Sequence, residues 1–322
     1  MKLIIQIPCF NEATTLPLVF ATMPKFIPGI DVIETLIIDD GSRDDTVAVA
    51  AELGADHIVR HRHNKGLSAS FNKGLHESLK LGADIIVNTD GDNQYPQQDI
   101  PRLIQPILDG THDIVVGDRQ TGSINHFGFF KKTMQSFGSQ VVQRAAGIKV
   151  KDAPSGFRAY SRLAAMRLNV ITDFSYTMET IIQAGKKRLS ITHVPVVTNP
   201  KTRESRLFTN IFQHMRKSGV AIIRSYTMYE AFRIFFVGGV VIFLIGTIPY
   251  IRFGWLALVY GQPLSGHLQS LIFGAVFMIL GFLVIFMGIV ADLLSINRKL
   301  LEDSLHRLKR MEYGETDSEK LF

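Results

Sequence analysis

Two carboxylates separated by one small residue follow an apolar run in the first third of the chain. Asp90 and Asp92 flank Gly91, and residues 84–90 form a strand-length run that leads into them. Carboxylates at this spacing can both turn toward one cation, and Gln94 offers a third oxygen ligand. Hard oxygen ligands of this kind suit Mg²⁺ or Mn²⁺. The motif therefore predicts a divalent-metal site that could hold a diphosphate, although acidic pairs also occur in solvated turns.

Two further acidic segments also follow apolar, strand-like runs. They are Pro8-Cys-Phe-Asn-Glu12 and Asp39-Asp-Gly-Ser42. A carboxylate at such a place can accept hydrogen bonds from base N–H groups or ribose hydroxyls, and Phe10 offers an apolar face to a base. Asp-Gly-Ser is also favourable in a turn or as a helix N-cap. Taken together, the segments favour a nucleotide pocket.

Short β-rich runs alternate with helical patterns over the first two hundred residues. Near-continuous apolar strands separated by helices predict an α/β domain with a mostly parallel sheet covered on both faces. Ligands of such sheets bind outside the carboxyl ends of the strands, which is where the acidic segments fall. The predicted strands are Leu3–Pro8, Glu34–Asp39, His57–His61, Asp84–Asp90, Asp113–Arg119 and Leu189–Thr198, and the predicted helices include Leu67–Leu81, Ile100–Ile107 and Phe127–Ala146.

Two long uncharged segments occupy the last third of the chain. Residues 234–251 and Leu268–Ala291 contain 18 and 24 residues without a charge. A bilayer core needs roughly 20 apolar residues as helix, so both segments are predicted to span a membrane. Lys and Arg flank the pair on its outer sides, whereas the connector 253–267 has neither. The positive-inside rule then places the catalytic domain and both termini in the cytoplasm.

The overall charge and the cysteine count limit the partners. The formal net charge of +6 points to an anionic partner, such as a phosphorylated substrate or a membrane surface. The basic residues cluster beside the predicted spans, which disfavours nucleic acid. A single cysteine, Cys9, cannot form an internal disulfide, which fits a reducing compartment. The first residues show no signal-peptide pattern.

Five motifs occur in a fixed order along the first 160 residues or so: Pro8-x-x-Asn11-Glu12, Asp39-Asp-Gly-Ser42, Asp90-x-Asp92-x-Gln94, Gly117-Asp-Arg119 and Ser155-Gly-Phe-Arg158. This order resembles the family 2 glycosyltransferases of GT-A fold. Within that family it is similar to the dolichyl-phosphate mannose synthase and bactoprenyl-phosphate glucosyltransferase group, whose membrane-anchored members carry a two-span tail. The resemblance implies a Rossmann-like catalytic domain and metal-dependent sugar transfer from a nucleotide-sugar.

The resemblance also assigns roles to residues. It implies that Asp90, Asp92 and Gln94 hold Mg²⁺ or Mn²⁺ and that Arg119 faces the phosphates, with Asp92 and Arg119 among the catalytic residues. The nucleotide contacts that it implies are Pro8, Phe10, Glu12, Ile37, Asp39, Asp90 and Gly91. Two positions depart from the usual pattern, since Gly91 stands in place of Ala and Tyr95 in place of His.

A late basic segment, Lys201-Thr-Arg203-Glu-Ser205-Arg206, departs from the family's Arg and Gly ahead of Ser-Lys. Lys201, Arg203 and Arg206 are predicted to hold the phosphate of a polyprenyl phosphate, without a defined role for each. A phosphate is already ionised near pH 7, so it needs cations rather than a strong base. Residues 207–230 after it are predicted to form an amphipathic helix, either on the membrane or packed on the soluble domain.

Two acidic residues keep alternative readings. Asp152 could orient a sugar hydroxyl or act as a base, or it could cap a turn and pair with Arg158. Glu179 could serve the reaction or be a carboxylate favoured by a helix N-terminus. The leading hypothesis is inverting transfer of a hexose from a UDP- or GDP-sugar to a polyprenyl phosphate. The alternative is transfer to a hydroxyl of a glycolipid or glycan with Asp152 as the base.

Other functional classes fit less well. No Gly-x-Gly-x-x-Gly follows the first strand, which argues against a dehydrogenase. The only tryptophan, Trp255, lies in or beside a span, so the Gln-x-x-Arg-Trp motif of polymerising synthases is absent. A non-catalytic nucleotide-binding scaffold stays open, as does a homo-oligomer. The predicted organisation is a catalytic domain over 1–206, a juxtamembrane helix over 207–230, a two-helix anchor over 231–296, and a basic helix with a polar tail over 297–322.

Overall fold

The computed structural model of the protein describes residues 1–120, 147, 151–171, 176–200, 211–261 and 267–313, with side chains described from residue 232 onward in the helix that begins at Ile211. The predicted helix Phe127–Ala146 lies outside these residues, as do Lys201, Arg203 and Arg206. The chain divides into two compact units. One combines Met1–Ile223 with His306–Phe322, and the other is Arg224–Leu305.

The first unit is built on a sheet in which seven strands are described, in the order β3-β2-β1-β4-β6-β5-β7. All neighbours pair in parallel except at β6, which runs antiparallel to both β4 and β5. This confirms the predicted mostly parallel sheet. The strands are β1 Lys2–Cys9, β2 Val32–Asp39, β3 His57–Arg60, β4 Ile85–Asn88, β5 Ile114–Asp118, β6 Arg158–Ser161 and β7 Ile191–Pro195.

The strand that the sequence did not predict is β6. It has only four residues, and its first residue lies inside a Ser-Gly-Phe-Arg motif that resembles a turn. Its register places Arg158 opposite Asn88, the last residue of β4. The segment that precedes β6 therefore lies beside the carboxyl end of β4, where Asp90 and Asp92 follow.

Helices cover both faces of the sheet. Alternate residues of β1 point to opposite sides, so that Leu3, Ile5 and Ile7 join one buried cluster and Ile4 joins the other. This alternation follows from the two-residue period of a strand. The helices of this layer are α1 Leu16–Ala21, α2 Thr46–Glu52, α3 Leu67–Lys80, α4 Ile100–Leu108, α5 Arg162–Arg167 and α6 Tyr176–Lys186, with a short 3-10 turn at Gln97–Asp99.

The last residues described also pack on this unit. The Arg162 guanidinium donates to the Tyr313 carbonyl at 3.0 Å, and Lys309 Nζ donates to the Leu168 carbonyl at 3.1 Å. The Tyr313 ring lies against His76 of α3, with ring centroids 5.7 Å apart, and the Tyr313 hydroxyl contacts His76 Nδ1. Tyr313 also packs against the second buried cluster.

Two long helices dominate the rest of the chain: α7 spans Ile211–Tyr260 and α8 spans Leu268–Glu312. Each is long and apolar enough to cross a membrane, and only 11% and 17% of their most apolar windows are buried. Such low burial is the opposite of what a core helix of a soluble domain shows. The juxtamembrane helix predicted over 207–230 is described from Ile211 onward, and there it is part of the same helix as the apolar segment of α7.

Within the second unit, α7 and α8 approach closely at glycines. The backbone carbonyl of Gly281 would lie 2.8 Å from a Cβ added at Gly239, and the carbonyl of Gly274 would lie 2.7 Å from a Cβ added at Gly246. The buried residues of α8 recur every seven positions, at Gly274, Gly281, Gly288 and Ser295. Small residues let helix backbones meet where lipid provides no hydrophobic drive for association.

We expect Gly239→Ala to weaken the hairpin, because the new methyl would meet backbone atoms of α8. Gly238→Ala is the matched control, since a Cβ there has no atom within 4 Å. The single tryptophan, Trp255, lies on α7 and reports on this unit. Its fluorescence during SDS titration of the protein in mild detergent should change at a lower SDS fraction for Gly239→Ala than for Gly238→Ala. Equal midpoints would contradict the close packing.

Candidate active site

The loop after β1 is fastened to the loops after β2 and β4. Thr15 Oγ1 lies 2.8 Å from Glu12 Oε2 and 2.7 Å from the Gly91 carbonyl oxygen, which joins the first loop to the acidic motif after β4. The Glu12 amide donates to Thr46 Oγ1 at 2.8 Å, and the Asn11 amide donates to Ser42 Oγ at 2.9 Å. The three acidic segments therefore meet at the carboxyl edge of the sheet, as their spacing predicted.

Asp39 is buried at the end of β2 and already has partners. Its carboxylate accepts from the Ser42 amide at 3.1 Å and forms an ion pair with Arg60 Nε at 3.0 Å. The turn role that the Asp-Gly-Ser segment suggested is thus present. Of this pair, the Arg60 side chain is 59% exposed, whereas the Asp39 side chain is fully buried.

Sequence reasoning missed the role of Asp40. This buried carboxylate accepts hydrogen bonds from His61 Nδ1 and from the Lys65 and Gly66 amides, each at 2.8 Å. The bonds hold the loop between β3 and α3 against Gly41, where an added Cβ would lie 2.8 Å from the His63 carbonyl carbon. Gly41 also has a φ of +75°, which glycine adopts without strain. In the sequence, only the second Asp of the Asp39-Asp40 pair pointed to this contact.

Asp90 and Asp92 follow β4 and influence one another. Enclosure by the protein, followed by the charge of Asp92, raises the pKa of Asp90 to about 7, against an opposing effect of Arg119. Glu12 adds a smaller effect in the same direction as Asp92. Asp92 Oδ1 accepts from the Gln94 amide at 3.0 Å, which closes a tight turn around Asn93. Negative charge is therefore concentrated at this edge of the sheet.

This arrangement fits a divalent cation that is shared with a substrate. Among the residues described, no three His, Cys, Asp or Glu side chains converge on one point. Two carboxylates, Asp90 and Asp92, with the Gln94 side chain as a further candidate ligand, would leave the remaining positions to water and phosphate oxygens. Mg²⁺ is usually held in this way, by one or two carboxylates together with substrate phosphates.

Small residues and aromatic rings shape the wall beside Asp90. A Cβ added at Gly156 would lie 3.0 Å from Asp90 Oδ2 and 2.9 Å from the Tyr176 hydroxyl. The Gly156 amide donates to the Tyr95 hydroxyl at 3.1 Å, and Tyr95 stacks on Phe157 with centroids 5.2 Å apart. Tyr95, where the family usually has His, is buried and acts as a hydrogen-bonding wall of the site. No sequence pattern signalled Tyr176.

Arg119 and Asp152 form a forked ion pair. Arg119 Nε donates to Asp152 Oδ2 at 2.7 Å and Arg119 Nη2 donates to Oδ1 at 2.9 Å, while the Arg119 amide also donates to Oδ2. Only 2% of the Asp152 side chain is exposed, against 15% for Arg119. The suggested pairing of Asp152 with Arg158 is wrong. Arg158 instead donates to the carbonyls of Ala153 and Ser155 and to Thr180 Oγ1.

The other predicted residues lie in different surroundings. Pro8 and Ile37 are buried in the strands, and Ile37 belongs to the hydrophobic core. Phe10 is half-buried at the end of β1. Glu179 lies in the first turn of α6, where the helix dipole favours a carboxylate, as one of its two interpretations required. It accepts hydrogen bonds from the Ile171 amide and Gln183 Nε2. The nucleotide contacts assigned to Pro8, Phe10 and Ile37 stay predictions.

This mostly parallel sheet, with acidic residues at its carboxyl edge, is an α/β domain of the GT-A class. The family model for glycosyl transferase family 2 matches residues 4–168, and the chain belongs to this family. The resemblance seen in the motifs is therefore confirmed.

The chain is similar to two curated relatives from archaea. A dolichol-phosphate mannosyltransferase of Pyrococcus furiosus is 32% identical over 228 residues, which cover 67% of this chain and 62% of that protein. A UDP-N-acetylglucosamine–dolichyl-phosphate N-acetylglucosaminyltransferase of Methanococcus voltae is 30% identical over 187 residues, which cover 51% of this chain and 73% of that protein.

Solved structures of another protein share the fold. The glucosyl-3-phosphoglycerate synthase of Mycobacterium tuberculosis, with Mn²⁺, UDP and its product, matches with a TM-score of 0.54 at 21% identity. The match covers 70% of this chain and 78% of that chain. The same synthase has also been solved with Mg²⁺ and UDP.

We expect Asp90→Asn to stabilise the metal-free protein at pH 8 and to do so much less at pH 5. The folded state keeps the Asp90 proton up to about pH 7, whereas an ordinary carboxyl loses it near pH 4. The contribution of Asp90 to the stability of the wild-type protein therefore falls as the pH rises from about 4 to about 7. Each kcal/mol regained by the variant should raise Tm by about 2–4 °C.

The measurement is thermal unfolding in EDTA at both pH values. Asp109→Asn removes the same charge from an exposed position and should show no such pH dependence. An equal Tm difference for Asp90→Asn at pH 5 and pH 8 would contradict the raised pKa.

Proposed function

We propose that this protein transfers a hexose from a nucleotide-diphosphate sugar to the phosphate of a polyprenyl phosphate. The observation that carries the proposal is the meeting of three acidic loops with Arg119 at one edge of the sheet. The same chain has two helices that could anchor it in the membrane where such a lipid resides. Two relatives whose names specify transferases using dolichol or dolichyl phosphate support the acceptor class.

The donor would bind across the ends of β1, β2 and β4. Phe10 would contact the base, and the carboxylates of Glu12 and Asp39 would accept hydrogen bonds from the base and the ribose. The nucleotide is UDP or GDP. The full set of donor contacts in this proposal is Pro8, Phe10, Glu12, Ile37, Asp39, Asp90 and Gly91.

Asp90, Asp92 and Gln94 would hold Mg²⁺ or Mn²⁺ against the diphosphate. When bound, such a cation offsets the negative charge that develops on the leaving group. Arg119 would contribute a second positive charge from the opposite wall, and Asp152 holds its guanidinium in one orientation. Because Arg119 is preorganised by this forked pair, it loses little freedom when it meets a phosphate.

The reaction would proceed by a single displacement. An oxygen of the acceptor phosphate forms a bond to the anomeric carbon as the bond from that carbon to the diphosphate breaks. The electron pair leaves with the nucleoside diphosphate, and attack from the opposite side inverts the anomeric centre. The acceptor oxygen is already ionised, so no proton has to be removed.

The geometry of Asp152 favours this reaction over transfer to a hydroxyl. A general base needs a carboxylate oxygen within hydrogen-bond reach of the proton that it removes. Both oxygens of Asp152 are bound by Arg119, and the side chain is buried. Asp152 is therefore better suited to hold Arg119 than to act as the base that the alternative acceptor requires.

Asp152→Asn tests this division of roles. Loss of the forked pair should leave Arg119 free to turn, so the Kd of the nucleoside diphosphate in the presence of Mn²⁺ should rise about tenfold, a change of about 1.4 kcal/mol. Isothermal titration of the purified protein with UDP and GDP gives the value. Arg119→Lys keeps the charge but removes the fork, and should weaken binding similarly. If Asp152→Asn abolished turnover with nucleotide affinity unchanged, Asp152 would be the base instead.

The remaining parts of the proposal concern the acceptor and the membrane. Lys201, Arg203 and Arg206 would bind the acceptor phosphate near the cytoplasmic surface. The basic residues that flank the two uncharged segments, 234–251 and Leu268–Ala291, support cytoplasmic termini by the positive-inside rule. The enzyme would act as an integral membrane protein in contact with membrane lipids. It could do so as a homo-oligomer.

The decisive experiment incubates membranes containing the protein with labelled UDP- and GDP-sugars and a polyprenyl phosphate. Label should enter the organic phase with one donor when Mg²⁺ or Mn²⁺ is present. Asp92→Ala should abolish this transfer because it removes a metal ligand, while the exposed control Asp109→Ala should retain it. No lipid-extractable label with any donor would refute the acceptor, and full activity in EDTA would refute the metal.

A further inference from the structure

Asn199 connects two parts of the chain that lie 106 residues apart in sequence. It follows β7 and makes three hydrogen bonds to the loop of the acidic motif. Asn199 Nδ2 donates to the Asn93 carbonyl at 3.0 Å and also contacts Asn93 Oδ1 at 3.3 Å. The Asn199 amide donates to the Gln94 carbonyl at 3.0 Å. We call this set of contacts the Asn199 clasp.

The clasp holds the backbone at the point where the acidic motif is strained. Asn93 has a φ of +58°, in the left-handed region that costs a residue other than glycine about 1 kcal/mol or more. Asn tolerates this region better than most residues, yet the conformation still needs support from its surroundings. Two of the three bonds of the clasp act on Asn93 itself.

The same backbone determines where the proposed metal ligands lie. Asn93 stands between Asp92 and Gln94, and the Gln94 amide donates to Asp92 Oδ1 at 3.0 Å. A change of the Asn93 backbone would therefore turn the Asp92 carboxylate and move the Gln94 side chain at the same time. By holding Asn93, Asn199 fixes the positions of Asp92 and Gln94 on either side of it. The Asn199 side chain itself is uncharged.

We infer that Asn199 is a positioning residue for the divalent cation, which it would not touch. The inference rests on the proposed metal site. Partners that orient metal ligands through hydrogen bonds typically change metal affinity by 10–100-fold when they are removed. The loss of the Asn199 side chain should therefore weaken cation binding more than it destabilises the fold.

The test is the Kd of Mn²⁺, measured by water-proton relaxation on the full chain in detergent without any substrate. Asn199→Ala should raise this Kd by about tenfold or more. Asn93→Gly should keep it within about threefold of wild type, because glycine adopts a positive φ freely and retains the carbonyl that accepts from Asn199. Gln105→Ala serves as the control, because it removes an exposed side-chain amide whose described hydrogen bond is to Asp109, away from the acidic motif.

Thermal unfolding in EDTA separates this role from simple stabilisation. A lower Tm for Asn199→Ala with an unchanged Mn²⁺ Kd would overturn the inference and leave the metal site standing. If Asn199→Ala fails to fold, Asn199→Ser keeps the backbone bond to Gln94 and should show the same weakening of Mn²⁺, and a wild-type Kd for it would overturn the inference. No Mn²⁺ binding by the wild-type protein would refute the metal site itself.

Discussion

Two carboxylates close together at the end of a buried strand repel one another, and a bound cation would relieve that repulsion. Asp90 and Asp92 are in this position, and the repulsion between them contributes to the raised pKa of Asp90. The positive charge of Arg119, which acts against this repulsion, is already shared with Asp152. Much of the first unit serves to keep this costly arrangement in place, through Thr15 on one side and the wall of Gly156, Tyr95 and Tyr176 on the other.

The residues that could be predicted from sequence are those whose position follows from local pattern. An Asp-x-Asp motif that follows a buried strand places both carboxylates at the carboxyl edge of the sheet. The pairing of Arg119 with Asp152 had no such signal, because it depends on β6 running antiparallel between β4 and β5. A strand of four residues in a turn-like motif carries too few side chains to show a period of two. Asn199 was missed for a similar reason, since its partner Asn93 lies 106 residues away in the sequence.

The hydropathy pattern predicts the two apolar helices but not how they pack against each other. Length and lack of charge identified both segments, since those properties are set by the bilayer. Their mode of packing depends on which glycines lack room for a methyl group, and adjacent Gly238 and Gly239 differ completely in this respect. Composition counts both residues alike, so only the structure distinguishes the contact face from the lipid-facing one.

The order in which the first unit is assembled on the ribosome follows from its being discontinuous. Its last piece, His306–Phe322, is synthesised only after both apolar helices have been made. Until then α3 and α5 lack the contacts of Tyr313 and Lys309, and an apolar surface of the second cluster stays uncovered. Synthesis from the N-terminus therefore completes both apolar helices before the packing of the first unit can be finished.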